Sequence, residues 1–132
     1  MTETRAELAR RIDIMERGYE YLLAFAAQGR RSEEGSEVRA TLLAMHDALE
    51  DLERIVTASI KVDPSASRHD DSAFMTAVRD DAMKARGAIA FTLNCGMIGS
   101  QLIDNFNASI HVRALLTDLF LVDQALRQAT AA

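Results

Sequence analysis

The sequence predicts an all-α fold, an antiparallel four-helix bundle that is dimeric, and three observations carry that expectation. Ala, Leu, Arg, Glu and Met dominate the chain, and all are strong helix formers. One Pro, six Gly, two Tyr, five Phe and no Trp leave little material for tight hairpins or aromatic-rich strands. Above all, apolar residues recur at spacings of three and four along four separate stretches, the rhythm of one buried helix face. With 132 residues, 48% of them hydrophobic and 27% charged, the chain has the size and composition of a single domain over 1–132.

The spacing predicts helices over about 4–28, 36–61, 72–95 and 100–128. Thr4 and Glu7 match a capping box for the first. Its stripe is Leu8, Ile12, Met15, Tyr19, Leu22 and Phe25, and Gly29 is placed to end it. In the second, Ser36 is the expected cap and Val38, Leu42, Met45, Leu49, Leu52 and Val56 form a heptad seam, which favours shallow helix crossings. Lys61 to Ser72, with the single Pro and several Ser, reads as the longest connection. Asp70, Asp71 and Ser72 then offer a cap and negative charge to the third helix, whose core positions are Phe74, Val78, Ala82, Ala85, Ile89 and Leu93.

Residues 89–94 alternate with period two, but a lone strand has no partner for its backbone, so helix is expected. The turn is placed at Cys95 to Ser100, between Gly96 and Gly99, with Ser100 as the next cap; Gly87 and Asn105 to Asn107 are the competing breaks. In the last helix the apolar residues do not fit one narrow stripe. A surface that wide suggests a helix buried on two sides, centrally or against a second copy.

Several function classes lose support from composition. The formal charge of −5 and pI near 5.1 argue against nucleic acid as a partner, because phosphate-backbone affinity needs clustered Lys and Arg. Arg30 and Arg31 are followed by Glu33 and Glu34, a loop of mixed sign. Cys95 is the only cysteine, which suits a reducing compartment and forbids a disulfide within the chain. The charged start and the lack of any long apolar run predict a cytoplasmic protein with no membrane association. No cofactor and no metal site are expected, since neither Glu-x-x-His nor Cys-x-x-Cys patterns occur. His69, Asp70 and Asp71 read as loop and capping residues.

Three constellations are candidates for chemistry. His46-Asp47, with Leu49, resembles the phosphoacceptor dipeptide of histidine-kinase dimerisation helices, which implies histidine phosphotransfer through His46. Leu49 stands where free-standing phosphotransfer domains usually carry Lys, and a hydrogen bond to Glu50 is the structural alternative for the imidazole. Arg39 and His46, seven residues apart and so nearly eclipsed on one helix, resemble the Arg-x(4–6)-His motif of HEPN-type ribonucleases, implying a small dimeric all-α nuclease. Ala40 departs from that motif. Asn94, Gln101, Asp104, His111 and Asp118 would align on an unbroken helix as a polar ribbon, and Gln101, Asp104 and His111 would then line a small-ligand pocket.

With nucleophilic, metal and phosphate-cradle signatures missing, the leading expectation is a non-enzymatic protein–protein interaction module: a small acidic dimeric regulator, adaptor or secretion-type chaperone. Its expected interface is the last helix, through Phe106, Ile110, Leu116, Leu119, Phe120 and Leu126.

Overall fold

A computed structural model describes residues 2–62 and 70–131. Most of the Lys61 to Ser72 connection, His69 included, lies outside the described residues. Those described form six helices and no strand: α1 (Glu3–Ala26), α2 (Val38–Ala48), α3 (Leu52–Val62), α4 (Ser72–Leu93), α5 (Ser100–Ala108) and α6 (His111–Ala131). The stretch 89–93 is helical, as the missing strand partner required.

Helix α1 starts earlier than its capping-box pattern suggests. Thr2, in extended backbone, accepts the Arg5 amide on its hydroxyl at 3.1 Å, so the cap is Thr2 and not Thr4. Glu7 does not reach back to the helix start. It accepts instead from Arg10 at 2.6 Å and from Arg11 at 2.9 Å, and those two guanidinium groups, Arg10 foremost, hold its carboxyl down at about 2. Beyond the helix end Gly29 takes φ +66°, the left-handed conformation that glycine adopts without strain.

Two of the expected helices are each split, which corrects the ranges 36–61 and 100–128. Between α2 and α3, Asp51 has φ +56°. A helix break frees backbone carbonyls, and they need donors. Here Arg11 reaches across from α1, donating to the Ala48 carbonyl at 3.2 Å and to that of Glu50. The heptad rhythm hides this break because Leu49, Leu52, Ile55 and Val56 stay buried across it.

Between α5 and α6, Ile110 has φ +61°, a conformation that costs a residue with a β-carbon about 1–2 kcal/mol. The break turns α6 relative to α5. Ile103 and Phe106 bury from one helix, and Val112, Leu115, Leu119, Val122 and Leu126 from the other. That change of direction is why the apolar residues of 100–128 fit no single stripe.

Two loops are sewn together at one end. The Ser100 hydroxyl is not a helix cap; it donates to the Phe25 carbonyl at 2.6 Å and accepts the Arg30 amide at 2.8 Å, while the Ser100 amide donates to the Arg30 carbonyl at 2.8 Å. This approach demands glycine at position 99, where a β-carbon would stand 2.8 Å from the Arg31 carbonyl oxygen. Elsewhere, Gly18 lets α2 lean on α1, since a β-carbon there would meet the Met45 sulfur at 2.5 Å.

Helices α1 and α4 are the unbroken ones, and each packs against α2, α3, α5 and α6. Two arginines fix how α2 lies on α4. Arg39, early in α2, donates to the Leu93 carbonyl at the end of α4 (3.4 Å), and Arg86, seven residues back along α4, donates to the His46 carbonyl late in α2 (3.3 Å). The two helices therefore run antiparallel with matched seven-residue steps. Met15, Leu22, Leu42, Met45, Ile89, Leu115 and Leu119 are fully buried in the core between the helices. Among the described residues, no helix is long and apolar enough to cross a membrane.

Candidate functional site

Helix α6 has two contrasting flanks. At about 100° per residue, Phe120 and Asp118, two positions apart, point in nearly opposite directions. On one flank α6 meets α1 in a groove of about 360 Å³ floored by Tyr19, Leu23, Leu116 and Phe120. Phe120 and Leu23 are 46% and 45% exposed. Glu16 and Glu20 form the α1 rim, and Arg113 and Thr117 the α6 rim. Among the described residues, the side chains of Glu16, Glu20 and Arg113 make no ion pair or hydrogen bond. An apolar centre ringed by charges without partners among the described residues has the anatomy of a protein interface.

On the opposite flank α6 meets α4 through two carboxyl groups, Asp118 and Asp81. Asp118 falls three residues after buried Leu115 and four before buried Val122, and Asp81 falls likewise between buried Val78 and Ala85. Each carboxyl group thus occupies a core-stripe position, and the two stripes face each other. Oδ2 of Asp118 is buried without a hydrogen-bond partner. Loss of water around it, and then the neighbouring Asp81, push the Asp118 carboxyl up to about 7. No cation among the described residues forms an ion pair with either one.

The other expected site residues are dispersed. Phe106, Leu116, Leu119 and Leu126 are buried within the chain, whereas Ile110 and Phe120 stay exposed. Arg39 is held by Glu33 through two hydrogen bonds of 2.6 and 2.8 Å, which keep the Glu33 carboxyl below its ordinary range. His46 is half-buried, and among the described residues its imidazole bonds neither Glu50 nor any other group. Asn94 caps the end of α4, Gln101 and Asp104 are exposed on α5, and His111 and Asp118 lie on α6. The two breaks separate what an unbroken helix would align. Gln101 lines a cleft of about 530 Å³ with Arg30 and Arg31, which neither Asp104 nor His111 borders.

Leu23, Glu16, Glu20, Arg113 and Asp81 were not singled out by sequence. Asp81 had a readable signal, an acidic residue between core positions 78 and 85. Leu23 had one too, as the apolar residue beside the α1 stripe. On α4, Met83 and Phe91 are more exposed, at 67% and 74%, but they lie two turns apart across Gly87. Isolated exposed apolar residues are ordinary. No group of three or more His, Cys, Asp or Glu among the described residues is arranged to hold a metal ion.

The fold and the groove define a small all-α chain with an apolar, charge-rimmed face. No protein-family model, curated protein or solved structure matches the chain.

Proposed function

We propose that the chain is a non-enzymatic interaction module that works as a homodimer, its helices forming the corners of an antiparallel four-helix bundle in which two of the four rods are broken. The observation that carries this reading is the α1–α6 groove, where Leu23 and Phe120 are open to solvent between an acidic rim on α1 and a basic residue on α6. A two-fold interface is self-complementary: whatever residue i meets on the partner, the partner's i meets here. A two-fold axis running along the groove lays α1 of each copy on α6 of the other and puts Arg113 opposite Glu16 and Glu20. The apolar residues close on one another in the centre. Opposite charges on the two rims make a second copy a better fit than an unrelated acidic or basic protein, and they specify orientation more than raw affinity. The sequence-based interface thus contracts from the whole of the last helix to its Phe120 flank.

Sedimentation equilibrium at tens of micromolar tests the reading. Wild type is expected to be a dimer and Phe120→Glu a monomer, both with unchanged helical circular dichroism. A monomeric wild type removes the proposal.

A further inference from the structure

We propose that Asp81 and Asp118 share a single proton and act as a pH-sensitive clasp between α4 and α6, whose opening shifts the α6 half of the α1–α6 face. The geometry requires some such arrangement. Two carboxylates pressed together from neighbouring helices repel each other, and a buried oxygen without a donor loses its hydration for nothing in return. One proton resolves both problems: the protonated group donates to the ionised one, and the buried oxygen of Asp118 gains its partner. The chain supplies no rival solution, because no Lys, Arg or His among the described residues pairs with either group.

The surrounding charges can be placed by helical register. On α4, Lys84 is one turn from Asp81; on α6, His111 is two turns before Asp118. From α5, Asp104 is exposed. From α1, Glu16 and Glu20 reach the opposite flank of α6, with Arg113.

The direction of the pH effect follows from linkage. Asp118 holds its proton more tightly in the folded chain than in the unfolded one, rising from 3.8 to about 7. Its contribution to folding is therefore fully present below about 3.8 and is lost as pH rises through about 7. Above that, both groups ionise and α6 is pushed from α4. Because Arg113 and Phe120 ride on the same helix, self-association weakens in the same range; this second step rests on the dimer reading above.

The test compares full-length wild type with Asp118→Asn, Asp81→Asn and His111→Gln. In thermal unfolding at low protein concentration, the wild-type midpoint is expected to fall by roughly 3–8 °C between pH 5.5 and 8.5. Asp118→Asn and Asp81→Asn, whose amides donate at every pH, should lose that fall, and His111→Gln should keep it. Sedimentation at the two pH values should show wild type dissociating several-fold more readily at pH 8.5 and Asp118→Asn unchanged. Parallel midpoint profiles for wild type and both Asn variants would overturn the clasp. A clasp in the unfolding data with pH-independent dimerisation would overturn the coupling, and a chain monomeric at both pH values would overturn the dimer reading while the midpoints still decide the clasp.

Discussion

Helix α4 is joined to α2 and to α6 by two opposite kinds of polar contact. Against α2 the contacts are arginines donating to backbone carbonyls, Arg39 to Leu93 and Arg86 to His46. Against α6 they are two acids side by side. Arginine keeps its charge across all ordinary pH, so the first join is indifferent to pH. The second changes character with one proton. The same helix therefore has one permanent and one conditional neighbour, although each neighbour brings a fully buried leucine to the core, Leu42 and Leu115.

That likeness is the first thing to break. Leu42 on α2 and Leu115 on α6 are both fully buried. Truncating either to Ala should destabilise the fold by about 2–5 kcal/mol through lost burial and a residual cavity. Denaturant unfolding of both variants at pH 5.5 checks this, and a cost much smaller at Leu115 would mean that α6 is only loosely seated. A smaller effect sharpens the contrast. Arg86→Ala should cost about 1 kcal/mol, the net value of a part-buried hydrogen bond. That cost should be the same at pH 5.5 and 8.5. A loss confined to the higher pH would show that the two joins are not independent.

Much of this architecture was legible. The four apolar stretches became helices, and Val78, Ala82, Ala85 and Ile89 are buried as their spacing required. The breaks at Asp51 and Ile110 were not legible, for different reasons. The first leaves the heptad rhythm intact because Leu49, Leu52, Ile55 and Val56 stay buried across it, and the carbonyls it frees are satisfied by Arg11, remote in sequence. The second sits at a β-branched residue that local preference disfavours in a left-handed turn, so tertiary packing overrides the local signal. The width of the apolar surface near the break did register in the sequence, but read as one helix it pointed to burial on two sides instead of a change of direction.

Site residues were harder. Arg39 and His46 invited a chemical reading because they share a helix face, yet Arg39 is committed to Glu33 and the end of α4. Phe106, Leu116, Leu119 and Leu126 are buried in the chain's own core, and only Ile110 and Phe120 of the expected interface face outward. Spacing along one helix cannot tell which apolar residues its neighbours already cover. Asp118 was visible as part of a polar ribbon, but its partner is on another helix, and a pairing between elements leaves no mark in either one alone.

The most direct test of the dimer is a charge reversal with rescue. Arg113→Glu should drive the chain to monomer by turning four opposite-charge contacts across the two-fold interface into like-charge ones, and adding Glu16→Arg and Glu20→Arg to the same chain should restore the dimer. Sedimentation equilibrium of the three proteins at low salt reads the outcome. Loss with Arg113→Glu and recovery in the triple variant is the result expected here; equal association in all three, or a triple variant as monomeric as Arg113→Glu, would contradict pairing through this face.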